Sequence, residues 1–174
     1  GSKSPVPVFR WMGDACEDLP EIRKAEAKAA MNVLEVPERN LHFLDYPDGE
    51  LKRYLPELKR TLADRLTRLQ PTSFFIPFRF DRHPDHLALH EAGLKALPPL
   101  NPPAHIVEYF VYYRWQLIPG GDVRAFVRPE LQVQIDISRQ SEQKRRALAC
   151  YTSQTTLYFD WQDRPILPSA RIVE

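Results

Sequence analysis

The densest group of reactive side chains is Phe80-Asp81-Arg82-His83-Pro84-Asp85-His86, with His90 one helical turn further on. Histidine titrates nearest to neutral pH, so it serves as a general acid or base. Imidazole and carboxylate are also zinc ligands. His83 and His86 are three residues apart and His86 and His90 four, so on a helix His86 and His90 share a face. A zinc site built from these three histidines is one reading. A core or surface histidine without a chemical role is the other reading of His90. A carboxylate beside histidines fixes their tautomers and orientation, which metal sites and acid–base sites both need. That requirement groups His83, Asp85 and His86.

The elements around this cluster predict its setting. Ser73 to Phe78 is short, aromatic and apolar, like a buried parallel strand, and Pro77 marks its end. His83 to Leu97 reads as a helix with Pro84 in its first turn. The cluster therefore lies after a strand and at a helix start, where open α/β sheets place ligand sites and where main-chain donors favour an anion.

The same reading extends along the chain. Pro5 to Trp11 alternates like a strand and is closed by Gly13-Asp14. Asp18 with Glu21 predicts a capping box for a helix to Val36, its apolar face Ile22, Ala25, Ala29, Val33 and Val36. Leu41 to Leu44 predicts a strand, ended by the Asp45-Tyr46-Pro47-Asp48-Gly49 turn. Leu51 to Leu69 predicts a helix that Pro56 interrupts, with a short turn before the main segment. His105 to Trp115, Gln132 to Ile137 and Thr155 to Trp161 predict further strands, with a helix from Ser138 to about Tyr151. Alternating strands and helices predict an α/β class with a largely parallel sheet and no clear second domain.

Bulk properties are those of an ordinary globular chain of 174 residues, 43% hydrophobic and 27% charged. A net charge of +1 gives no reason to expect nucleic acid or an anionic membrane as partner. No apolar run is long enough to predict a membrane span. Cys16 and Cys150 cannot form a disulfide framework, so a reduced, cytoplasmic setting is expected. The 17 prolines are about twice the usual share. Tyr109, Phe110, Tyr112, Tyr113 and Trp115 read as a core strand rather than an interface, and a homo-oligomer stays open.

Four stretches, in order from about Val6 to Gln154, resemble the LmbE-like/PIG-L group of zinc-dependent N-acetylglucosaminyl deacetylases. His83-Pro84-Asp85-His86 is similar to that family's second motif. Arg23-x-x-Glu26 with Ala29-Ala30 is similar to its Arg-x-x-Glu helix, and Phe43-Leu44 to Asp48-Gly49 to its Phe-Leu…Asp-Gly turn. Lys144, Ala147-Leu148, Tyr151 and Ser153-Gln154 are similar to its Lys-x-x-Ala-Leu…Ser-Gln helix. The resemblance implies a Rossmann-like three-layer sandwich with a mostly parallel sheet. It implies zinc as cofactor, His86 as a metal ligand, His83 as the oxyanion stabiliser or amine proton donor, and Asp85 as the group that orients His83. It further implies Arg23 and Asp48 as ligands of sugar hydroxyls, Asp14 as a pocket residue, and structural roles for Asp136 and Lys144. Without it, Arg23 and Glu26 read equally as a solvated helix pair and Asp48 as a plain turn residue.

The family's first motif, His-Pro-Asp-Asp-Glu, has no counterpart here, since His83-Pro84 is the only His-Pro pair. In the family it supplies two zinc ligands and the general base, and catalytic zinc needs three protein ligands. The first strand is expected to be missing with it. A partial chain is the expected explanation, since Gly1-Ser2 looks like a cloning remnant. Completion by another chain and a degenerate, inactive relative are the alternatives. The resulting expectation is one deacetylase-like domain over residues 1–174, incomplete at its N-terminus. Its expected function is zinc-dependent removal of an acetyl group from an N-acetylglucosamine-type sugar. A sugar-binding module without hydrolysis is the alternative. A zinc site of His83, His86 and His90 alone is separable by His90→Ala.

Overall fold

Phe74, Phe75 and Ile76 have the aromatic and β-branched shapes that suit a pleated surface, and in the computed structural model they lie in β1 (Ser73–Pro77). The structure describes residues 18–81, 83–98, 103–111, 116–118, 121–122, 127–158 and 162–167. The chain forms two compact units, Gly1–Asp45 with Gln134–Glu174, and Tyr46–Val133.

The continuous unit holds the strand–helix segment expected to carry the chemistry. A 3-10 turn at Leu51–Tyr54 leads into α2 (Leu55–Leu69), with Pro56 in its first turn, where a missing N–H costs nothing. Leu58 and Leu66 are buried, whereas Leu69 is exposed at the helix end beside left-handed Gln70. After β1 comes α3 (Pro84–Ala96), then β2 (His105–Tyr109). β1 and β2 pair in parallel, in register from Ser73↔His105 to Pro77↔Tyr109. This is a β–α–β unit, and it makes the class α/β. Gln116–Ile118 and Gly121–Asp122 form a small antiparallel pair, β3 and β4; residues 119–120 of the turn expected after Ile118 lie outside those described. β2 is shorter than the strand expected to Trp115, and residues 112–115 lie outside those described.

α2 packs on α3, and α3 on β1. Ala88, Ala92 and Ala96 are buried, so small residues let α3 lie close to its neighbours. Gly93 lies tight against β1. A Cβ there would stand 3.2 Å from the Phe74 ring and 3.3 Å from Ile76. We expect Gly93→Val to cost about 1–3 kcal/mol by overpacking, read as a lower urea midpoint at unchanged m-value.

In the discontinuous unit, α1 (Leu19–Val33) packs against α4 (Ser141–Ala149) and the short α5 (Thr152–Thr155). The expected capping box does not form: Asp18 makes no side-chain cap, and Glu21 pairs instead with Lys24 at 3.0 Å. α1 also stops before Val36. Glu35 is left-handed at φ 59°, its N–H donates to Asn32 O, and Val36 N–H donates to Met31 O. That is a Schellman stop without glycine. The inward face is corrected too. Ala25 and Ala29 are exposed, while Glu26 and Ala30 are buried.

Three expected strands do not form over their described residues, and residues 159–161 of the last lie outside those described. Leu41 is extended, but Leu41 to Leu44 pairs with no strand among the described residues. Gln132 to Ile137 is also irregular, with Val133, Ile135 and Ile137 exposed. Alternation suits a strand, but a strand needs a partner to satisfy its main chain. Thr155 ends α5 instead of starting a strand, because Thr152 to Thr155 close a helical turn. The strand expected at Pro5 to Trp11 lies outside the described residues.

Candidate active site

Pro84 cannot donate a main-chain hydrogen bond, and it fixes the start of α3. His83 therefore becomes the N-cap residue, with extended backbone (φ −80°, ψ 127°). Its ring Nδ1 accepts from Asp85 N–H at 3.2 Å. His83 is buried, at 8% exposure. An Nδ1 that accepts leaves the proton of the neutral ring on Nε2.

Asp81 sets the entry to this helix. Its Oδ1 accepts the His83 N–H at 2.9 Å, an Asx turn, and lies 3.0 Å from His86 Nδ1. Asp81 is itself buried. A carboxylate this close favours the proton on Nδ1, and with it Nε2 as the lone-pair nitrogen, the form of a metal-binding histidine. The His83 and His86 rings lie 4.7 Å apart, tilted by 33°. Burial pushes the Tyr109 hydroxyl above its ordinary pKa, and the negative charge of Asp81 adds to that. Asp81 was not singled out from the sequence, although an Asp two residues before a His-Pro helix start is the available signal.

Asp85 divides its groups among three partners. Its N–H meets His83, while its carboxylate accepts Gly49 N–H at 2.6 Å and Leu51 N–H at 3.0 Å. The carboxylate thus holds the turn that carries Asp48. That turn is conformationally demanding: Asp45 and Gly49 have φ of 55° and 76°. Asp48 is exposed, and one of its oxygens forms a group with a His83 nitrogen and an Asp85 oxygen, all within 4.8 Å of one another.

One imidazole nitrogen and two carboxylate oxygens suit a divalent cation by donor type. His86, the expected metal ligand, is outside that group. His90 is outside it too. Its Nδ1 lies 2.9 Å from Pro77 O, which makes it the donor that ties α3 to the end of β1.

The remaining residues fall elsewhere. Arg23 is half-buried on α1, in the discontinuous unit. Glu26 faces α5, where its carboxylate accepts Ser153 N–H at 2.6 Å, Ser153 Oγ–H at 2.7 Å and Thr152 Oγ1–H at 2.9 Å. Burial pushes its pKa up, but these donors and the charge of Arg23 outweigh that and hold it below the ordinary value. The solvated reading of Glu26 is therefore set aside. Asp136 is exposed and accepts Ser138 N–H at 2.9 Å, and Lys144 is exposed on α4. Asp14 lies outside the described residues.

A family model described as PIG-L: GlcNAc-PI de-N-acetylase matches residues 3–97, more than half of the chain. The match covers β1, the whole of the His83 to His86 segment and the Asp48 turn.

Proposed function

The chain belongs to the PIG-L family, GlcNAc-PI de-N-acetylase, and from that premise we propose that it is a hydrolase removing the acetyl group from an N-acetylglucosamine-type sugar. The observation that carries this reading is the helix start where His83 and Asp85 meet the Asp48 turn. The family match lends it substrate class. A Rossmann-like three-layer sheet belongs to the same proposal, supported by the parallel β1–β2 pair and its α3 crossover.

In amide hydrolysis, water oxygen bonds to the acetamide carbonyl carbon, the C–N bond breaks, the nitrogen takes up a proton, and acetate leaves. His83 suits two of these demands. With its neutral proton on Nε2, it donates to the developing oxyanion and then to the departing amine. Asp48 accepts from sugar hydroxyls, and Arg23 is carried over as a second hydroxyl ligand on the resemblance alone. His86, with Asp81 behind Nδ1, is the residue to hold zinc. Zinc, when bound, supplies polarisation of the carbonyl and a water acidic enough to lose its proton near neutral pH. The base and two further ligands that the resemblance assigns to a His-Pro-Asp-Asp-Glu motif have no counterpart in this sequence. Hydrolysis is therefore expected where that motif is supplied. A cytoplasmic setting goes with this reading. No helix among the described residues is long and apolar enough to cross a membrane.

The test is zinc content on protein never exposed to chelator, with His86→Ala in parallel, followed by acetate release from N-acetylglucosamine conjugates. Where that motif is supplied, we expect about one zinc per chain, lost in the variant together with acetate release. Saturable sugar binding with neither zinc nor acetate release would replace the enzyme by a binding module. Absence of zinc, sugar binding and acetate release would overturn both.

A further inference from the structure

Residue 85 touches both halves of the proposed site through different atoms. Its main-chain N–H reaches His83 Nδ1, and its carboxylate reaches Gly49 and Leu51. The two accepting oxygens match two donors two residues apart, on either side of Glu50. Asp48 directly precedes the first of these donors. The turn has a costly backbone: Asp45 adopts a left-handed φ without being glycine, and Gly49 needs φ 76°. Within the turn, Glu50 N–H reaches Pro47 O at only 3.3 Å.

We propose that Asp85 is a positioning residue for Asp48. By gripping the Gly49 and Leu51 amides from the first turn of α3, it sets the Asp48 carboxylate beside the His83 ring. Sugar recognition and proton donation then share one register. This rests on the sugar reading above and shifts the role of the Asp85 side chain. The resemblance gives that side chain to His83, whereas here the carboxylate serves the substrate-binding turn and the main chain serves the histidine. The ligand class is a pyranose with vicinal hydroxyls, whose donors suit a carboxylate held at fixed distance from an imidazole.

The test uses the full 174-residue chain, labelled with 15N, and N-acetyl-D-glucosamine as the probe. Asp85→Asn keeps size but has one acceptor oxygen, so one amide loses its partner. We expect hydrogen exchange at Gly49 and Leu51 to accelerate by about tenfold. We expect the nuclear Overhauser effect between Asp48 β-protons and the His83 ring to vanish, and sugar affinity to fall about tenfold. Asp48→Ala is expected to weaken the sugar equally while leaving both amides protected. The Asp48→Ala/Asp85→Asn double variant should then be no weaker than Asp48→Ala alone. A retained Asp48–His83 contact in Asp85→Asn, or additive losses in the double variant, would overturn the proposal. If the wild type binds no N-acetyl-D-glucosamine, the sugar reading falls, and the Overhauser contact alone decides the positioning role. If Asp85→Asn does not fold, Asp85→Glu takes its place. It keeps charge and both acceptors but moves them by a methylene, and wild-type contact and sugar affinity in it would overturn the proposal.

Discussion

With the His-Pro-Asp-Asp-Glu motif supplied, His83→Asn is expected to lower acetate release by about 10²–10⁴-fold with little change in stability. The two effects separate because the His83 ring has two jobs on two nitrogens. Nδ1 is a helix cap, accepting Asp85 N–H at 3.2 Å. Asparagine is among the best N-cap residues, so its side-chain oxygen replaces that acceptor. Nothing in asparagine replaces a titratable Nε2. His83→Ala loses both, and is expected to show the same rate loss plus about 1 kcal/mol of stability. Rates at saturating and limiting substrate, with urea unfolding of each variant, check this. An equal rate for His83→Asn and wild type would remove His83 from proton transfer.

Glu26→Ala is expected to cost about 3–5 kcal/mol. Glu26 is 7% exposed and accepts three hydrogen bonds from Ser153 and Thr152. Removing it leaves the fully buried Ser153 amide and hydroxyl without that acceptor, and each orphaned buried donor costs about 1–3 kcal/mol. The Glu26 pKa lies below its ordinary 4.5 in the folded chain. Its contribution is therefore complete above the unfolded value and is lost as pH falls through the folded value. The stability gap between wild type and Glu26→Gln should narrow on acidification below about pH 4.5. Urea midpoints taken from pH 7 down to pH 3 read this directly, and a gap that widens towards acid would refute it.

What was legible in the sequence was local. Ser73 to Ala96 reads correctly because an aromatic strand, a helix-starting proline and a run of small helical residues each act through near neighbours. The gathering of reactive groups at His83 to His86 was legible for the same reason. Long-range pairings were not. Glu26 meets a partner 127 residues away, so nothing in the helical period of α1 announces that a carboxylate faces inward. The alternation of Gln132 to Ile137 matches a strand, but no pattern within a segment reports whether a neighbouring strand exists. The Asp85 carboxylate reads as a histidine's companion because they are close in sequence, while its acceptor sites are filled from 34 and 36 residues away.

The two units differ in how their chains are gathered, and this has a consequence for biosynthesis. The unit with Asp48, His83, Asp85 and His86 is continuous, Tyr46–Val133, whereas the other needs both Gly1–Asp45 and Gln134–Glu174. Short-range contacts close at small entropic cost, and long-range ones wait for both partners. On the ribosome, the strand–helix–strand segment is complete before the Ser153 partner of Glu26 is made. Until then α1 carries a carboxylate whose acceptor sites await the donors of α5, so α1 is the segment that a chaperone would meet unfinished.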